Sequence, residues 1–420
     1  MTKRKALIRL MVLGLGSWLL TACSARLLPS KINYSQEYNE LEGYKPRYAF
    51  HKSPAGHKVF FLLDPALVDE QSDRLMIDRK FVPVFEFFSS HSDRRPLLMD
   101  TLQWEDYQIF PVSQGVLFTF EVGLDEMAGG LALLSFQDKV NEVSRVHYLS
   151  LPSKENTLEL NYMVTYANGM PIMEHYANCD DTLVLRNIDD REEQLFVTYY
   201  SQEFRPAAPP MAVSFRNEDQ QLAIDTTFAI ALKKPFMLTQ PGLYLFQEDT
   251  NDAQGFSIRV GCYRFPRPSR SKELIDALIY ITTTDERAKI IKAVNPKREL
   301  DNFWLAQGGN REFGRQMIRN YYRRVEFANL YFTTYKEGWK TDRGLVYTVF
   351  GPPSKVRRFD QSEEWEYSKK TAASEQRFVF VRKPNLFSAY HFELVRQVEY
   401  DIFWYSAVEQ IRKGLSEEKK

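Results

Sequence analysis

From about residue 46 to 265 the chain runs through short β-branched and aromatic segments separated by turn residues, and that rhythm restricts its folds more than any other feature. Phe81-Val82-Pro83-Val84-Phe85-Glu86-Phe87, Val116-Leu117-Phe118-Thr119-Phe120-Glu121-Val122 and Leu195-Phe196-Val197-Thr198-Tyr199-Tyr200 are three such runs. In the middle one Phe118, Phe120 and Val122 alternate with Thr119 and Glu121, the period-2 pattern of a strand with one buried face. Gly129-Gly130, Asn178-Cys179-Asp180-Asp181 and Asn187-Ile188-Asp189-Asp190 punctuate the runs, and helices would need longer unbroken stretches. About 220 residues exceed one sandwich of about 100, and the polar break Leu151-Pro152-Ser153-Lys154-Glu155-Asn156 divides them. The reading is two tandem β-sandwiches, residues 46–152 and 153–265.

The period changes after Phe265-Pro266-Arg267-Pro268-Ser269, a stiff linker because each proline fixes its own φ and biases the preceding residue to extended geometry. Leu274, Leu278 and Ile281 are helically spaced, and Thr283 with Glu286 forms a capping box that starts another helix. Phe313, Met317, Tyr321, Val325 and Ala328 make one stripe of a longer helix. Strands are expected again at Leu345 to Phe350, Glu364 to Tyr367, Arg377 to Val381 and Tyr390 to Val395, and a last helix from near Tyr400. Residues 269–413 therefore read as an α+β domain, and the whole chain as mainly β with an α+β C-terminal domain.

At the other end, Lys3, Arg4, Lys5 and Arg9 precede an uncharged run from Leu10 to Leu20. The run has the shape of a secretory signal and is too short for a transmembrane helix of about 20 residues. It meets Leu20-Thr21-Ala22-Cys23, which resembles the lipobox cut by lipoprotein signal peptidase. The resemblance implies removal of residues 1–22, lipid on Cys23, and a membrane as partner through that lipid. Palmitate would be among the acyl chains. Ser24 after the cysteine leans towards the outer membrane. Residues 23–45, polar and without sustained period, suit an extended tether.

Without the signal the chain has 51 basic and 55 acidic residues, a formal −4, with no block of like charge. That balance argues against nucleic acid as a partner. Cys179 lies in a polar turn, and Cys262 shares a face with Phe256, Ile258 and Val260, so it reads as a small core residue, with a disulfide as the alternative in an oxidising compartment. His51, His57, His91, His147, His175 and His391 lack ligand spacing, and no Gly-x-Ser-x-Gly, His-Glu-x-x-His, P-loop or Cys-x-x-Cys occurs. The sequence thus names no catalytic residue, metal or cofactor.

Gly338-Trp339-Lys340-Thr341-Asp342-Arg343-Gly344 resembles the signature of the GWxTD domain, found in exported proteins of Bacteroidetes and their relatives. Phe303-Trp304, Tyr321-Tyr322-Arg323-Arg324-Val325, Ala328-Asn329, Val346-Tyr347, Gly351-Pro352-Pro353 and Glu364-Trp365-Glu366-Tyr367 agree with that resemblance, which spans about residues 270 to 410. Physically the motif looks like a helix exit feeding a strand: Gly338 ends the helix in left-handed geometry, Trp339 is buried, and Thr341 to Gly344 turn. Two readings are open. In one, Asp342 and Arg343 form a turn held by a local ion pair, with Arg323 or Arg324 reaching Asp342 or Glu364. In the other, Asp342, Arg343 and Tyr347 make a binding site beside Gly351-Pro352-Pro353, or Asp342 and Glu364 a carboxylate pair. Trp365 and Trp404 read as core. The function expected is that of an envelope accessory lipoprotein that binds another envelope protein; the alternative is an enzyme or glycan-binding protein acting through the GWxTD domain.

Overall fold

The computed structural model describes residues 28–38, 46–63, 79–112, 115–140, 144–152, 154, 157–187, 194–214, 222–368 and 376–415. The signal peptide, Cys23, much of the 23–45 tether and the turn Ile188-Asp189-Asp190 lie outside these residues.

The first sandwich pairs two four-stranded antiparallel sheets. One is ordered β1 (Arg47–Ser53), β2 (Gly56–Leu62), β6 (Gly115–Val122), β5 (Tyr107–Val112), and the other β4 (Leu98–Thr101), β3 (Phe81–Phe88), β7 (Leu131–Asp138), β8 (Ser144–Ser150). Phe61, Phe85, Phe118, Phe120 and Phe136 fill the space between them. Glu121 faces out as the alternation requires, but Thr119 is buried, because β6 is an inner strand and its hydroxyl face is flanked by Phe60 and Gln108.

The second sandwich sets β14 (Pro235–Met237), β11 (Thr182–Asn187), β9 (Tyr162–Tyr166) against β10 (Tyr176–Asn178), β16 (Phe256–Gly261), β15 (Gly242–Gln247), β12 (Gln194–Tyr200), β13 (Thr226–Ala231). A short helix, α1 (Leu158–Asn161), leads in. The pairing of β10 with β16 is parallel, and Asn178 stands opposite Gly261. The residues that follow, Cys179 and Cys262, therefore come side by side, with Cα atoms 5.3 Å apart, and form a disulfide. This corrects the reading of Cys262 as a lone core residue. The bridge closes 83 residues of chain, which by loop entropy stabilises the fold by about 4 kcal/mol.

The third unit holds α2 (Ser271–Ala277), α3 (Thr284–Lys292), α4 (Pro296–Gly308), α5 (Arg311–Phe332), α6 (Asp342–Phe350), a sheet β17 (Lys355–Arg358), β18 (Ser362–Tyr367), β19 (Gln376–Arg382), β20 (Phe392–Leu394), and α7 (Tyr400–Arg412). Thr283 caps α3 reciprocally with Glu286: Glu286 N donates to Thr283 Oγ1 at 3.2 Å and Thr283 N to Glu286 Oε2 at 2.9 Å. On α5, Met317, Tyr321, Val325 and Ala328 face the core with Trp304, Trp365 and Trp404. Leu345 to Phe350 is helix, not the strand expected. Thr341 caps it, its Oγ1 accepting from Gly344 N at 3.0 Å. The helix is buried all round, so its sequence is apolar without a helical period and reads like a core strand.

Residues 28–38 are not a free tether. Turns Pro29–Lys31 and Ser35–Tyr38 lie on the body: Tyr34 N donates to Val356 O at 2.9 Å, Val356 N to Asn33 Oδ1 at 2.9 Å, and Ser30 N to His91 O at 3.1 Å. Their aromatic rings, Tyr34 against Tyr148 and Tyr38 against Phe332 and Trp365, bury surface that an extended leash would leave in water. No helix among the described residues is long and apolar enough to cross a membrane.

Candidate functional site

The glycines of the motif are there for close approach. A Cβ on Gly338 would stand 1.9 Å from Ala328 O, and one on Gly344 1.8 Å from Gly338 O, so the loop packs against α5 and folds back on itself. Gly338 does not end α5 in left-handed geometry; α5 ends at Phe332 and Gly338 opens a separate turn of 3-10 helix. Gly338 N donates to Thr333 Oγ1 (3.0 Å) and Trp339 N to Asn329 Oδ1 (3.2 Å), while Thr341 Oγ1 donates to Gly338 O (2.7 Å). Trp339 is buried edge-on to Tyr280, whose hydroxyl donates to Trp339 O at 3.1 Å. Thr341 thereby closes one turn and starts the next helix.

Asp342 is 2% exposed. Its Oδ2 accepts from Leu394 N at 2.8 Å, and Arg396 Nη2 pairs with Oδ1 at 2.6 Å. Arg396 also donates to Ala208 O at 3.1 Å, so the first residue of α6 ties together the helix, the end of β20 and the middle of the 201–214 stretch that follows β12. The expected local pair with Arg343 is not what holds Asp342. Arg324 donates to Val349 O and Arg323 lies over the Phe327 ring, so neither reaches Asp342; Glu364 pairs with Arg357. The nine residues of α6, at about 1.5 Å each, also put Asp342 roughly 13 Å from Gly351, which separates it from the Gly351-Pro352-Pro353 loop.

Arg343 and Tyr347 lie one turn apart on α6 and face residues 28–38. The Tyr347 hydroxyl donates to Tyr38 O at 3.1 Å and the ring is wholly buried. Arg343 stacks over Phe392 with 4.2 Å from guanidinium to ring centre, and its Nη1 is 3.7 Å from Glu363. Glu363 is the centre of this cluster: it accepts from Trp365 Nε1 (2.6 Å), Arg358 Nε (3.0 Å) and the Tyr38 hydroxyl (3.1 Å). Burial pushes its carboxyl up, but Arg358 and Arg343 outweigh that and hold it below the usual range. Arg358 bonds Glu37 as well, at 2.9 Å.

These groups line a cavity of about 240 Å³ where the three units meet. The N-terminal segment contributes Glu37 and Tyr38, the first sandwich Tyr48 and Tyr148, the second Glu159, Glu174 and His175, and the third Arg343, Arg358, Glu363, Thr334 and Tyr390. Burial raises the carboxyl of Glu37 against the pull of Arg358, and raises that of Glu159 although the Tyr390 hydroxyl donates to it at 2.7 Å. Glu37 Oε1, Arg358 Nη1 and Thr334 Oγ1 are buried without a hydrogen-bond partner among the described residues. A neutral ligand offering donors and acceptors over tyrosine rings fits such walls. Of the motif residues, only Arg343 reaches this cavity. Glu37, Arg358, Glu363 and Arg396 carried no local pattern in the sequence, since each acts through partners far along the chain. Beside the motif, burial depresses the Lys336 amine against the pull of Asp342 and Glu337. Among the described residues no three His, Cys, Asp or Glu side chains gather as a metal site.

Residues 242–413 match the family model of the GWxTD domain. That stretch takes in β15 and β16 as well as the third unit, and so begins upstream of the linker at Phe265 to Ser269. No curated protein matches the chain. A solved structure, the crystal structure of DIP-gamma IG1+IG2, aligns over 52% of this chain and 98% of its own at 10% identity, with a TM-score of 0.13, a likeness too slight to carry an argument.

Proposed function

Starting from a chain that carries a GWxTD domain at residues 242–413, we propose that the protein is a lipid-anchored accessory component of the bacterial cell envelope. Lipid on Cys23 holds it at a membrane, the outer one by the lean of Ser24, and it joins another envelope protein. What carries the role is how the motif is spent: Asp342 is consumed by Arg396 and Leu394, Trp339 by the core, and Tyr347 by Tyr38, so the signature serves as a joint. The address is supported by the lipobox and by the Cys179–Cys262 disulfide, a bond that persists in oxidising compartments. The test is affinity purification from detergent-solubilised envelopes. A stoichiometric protein partner is the expected result; recovery of glycan with no partner sinks the accessory role. Cys23→Ser should abolish incorporation of radioactive palmitate, and continued labelling refutes the anchor.

A second reading, a glycan-binding protein or envelope enzyme acting through the GWxTD domain, is favoured by one observation, the polar atoms of Glu37, Arg358 and Thr334 that line the tyrosine-rich cavity without a hydrogen-bond partner among the described residues. Calorimetric titration with envelope oligosaccharides tests it, saturable heat in wild type and none in Arg358→Met being the result it requires.

A further inference from the structure

The docking of residues 28–38 sets how far the body can stand from the lipid. Leu28 follows Cys23 by five residues, and five residues reach at most about 18 Å whatever their conformation. From Ser30 onward the chain is bonded to the body: Ser30 to His91, Asn33 and Tyr34 to Val356, Tyr38 to Glu363. The His91 end of this contact belongs to the Ser89–Pro96 loop, which is itself pinned, since Ser90 Oγ and His91 N each donate to Asp360 at 2.7 Å.

What this face offers is basic. Lys31, Arg94 and Arg95 are exposed. Two acids share the face with their charges intact: Asp93 accepts from Ser89 Oγ and Ser90 N within its own turn, and Asp360 takes the Ser90 and His91 bonds, so three basic groups against two acids leave it positive by one. Leu97, 67% exposed, ends the loop with an apolar side chain. Each basic residue close to an anionic lipid surface strengthens attachment about fivefold, and the field that does so decays over about 8 Å, a range that the short connection permits.

We propose that the face made by the Pro29–Lys31 turn and the Ser89–Pro96 loop lies against the anionic phospholipid headgroups of the membrane that holds the Cys23 lipid. The inference rests on the lipid anchor of the proposed function. The membrane then seats the protein in one orientation, with the Ser89–Pro96 loop and β17 as its underside.

The test uses the full-length lipidated protein in vesicles of phosphatidylethanolamine and phosphatidylglycerol. Palmitate incorporation is measured first; its absence overturns the anchor and the seating with it. Leu97→Cys, beside the Ser89–Pro96 loop, and, in the turn between β13 and β14, Lys234→Cys each place a unique free thiol, because Cys179 and Cys262 are paired and Cys23 is acylated. Both positions are exposed, so a fluorophore on either leaves the core intact. Quenching by a headgroup-labelled lipid should be at least about threefold stronger at position 97, and should fall when the labelled vesicles are made of phosphatidylcholine alone. Equal quenching at the two positions with palmitate present overturns the seating while leaving the anchor in place.

Discussion

Asp342→Asn asks how much of the fold the motif carboxylate holds. The substitution keeps the volume and one acceptor oxygen for Leu394 N, now 2.8 Å away. What it removes is the charge that answers Arg396, whose side chain is only 10% exposed. Taking away one partner of a buried pair leaves an uncompensated charge, at about 3 to 5 kcal/mol. In a folding unit the size of residues 242–413 that lowers the melting temperature by roughly 10 °C. Urea unfolding followed by circular dichroism measures the loss for Asp342→Asn, Arg396→Met and the double variant. In the Arg396→Met background no guanidinium is stranded, so the second substitution should be nearly neutral, with a coupling of at least about 2 kcal/mol. Additivity within about 0.5 kcal/mol would refute the pair. Loss of envelope-partner recovery with an unchanged melting curve would refute the structural role of the motif and restore the binding-site reading.

Other consequences follow from the same geometry. Gly344→Ala should cost at least about 3 kcal/mol, since its Cβ would fall 1.8 Å from a backbone oxygen, and a melting curve like that of wild type would mean that the loop gives way freely. Cys179→Ser should lower stability by about 4 kcal/mol; a urea midpoint indifferent to reductant in the wild type would count against the bridge. Glu337, paired with Arg259 at 2.6 Å and Lys340 at 3.1 Å, has its carboxyl held at about 2: burial pushes it up, and the two cations outweigh burial. A depressed carboxyl stabilises above the ordinary value near 4.5 and loses that contribution as pH falls towards 2. The unfolding free energy from urea titration should therefore fall on acidification by about 3 kcal/mol more in the wild type than in Glu337→Gln. Parallel acid curves for the two proteins would disprove that linkage.

Local chemistry was readable in the amino-acid order wherever the partners are close in sequence. The strand at Val116 to Val122, the Thr283 and Glu286 cap, the long helix through Met317 and Val325 and the last helix at Tyr400 all declare themselves by spacing over a few residues. Trp339, Trp365 and Trp404 read correctly as core on apolar area alone. The misreadings share one cause. Leu345 to Phe350 is helical but surrounded, so no polar face marks its period. Cys262 finds Cys179 only through the parallel pairing of β10 with β16, which joins segments 83 residues apart. Asp342 looked like a turn residue because Arg396 is 54 positions away, and Glu37 and Tyr38 looked like tether because their partners at 358 and 363 lie in the last quarter of the chain.

The bond between Tyr38 and Glu363 joins residues 325 apart, and this separation dictates an order of assembly. A chain made from its N-terminus presents Tyr38 long before Glu363 and Arg358 have emerged, so the clasp has no carboxylate to close on until nearly the whole polypeptide is made. Both sandwiches can complete their hairpin pairings in the meantime, since those contacts are short in sequence and form early. Closure of the Tyr38–Glu363 clasp is then the final step, and it reports completion: a chain truncated before β17 keeps Tyr148 and Phe332 as ring partners for Tyr34 and Tyr38 but lacks Arg358, Glu363 and Trp365, so the segment stays unclasped.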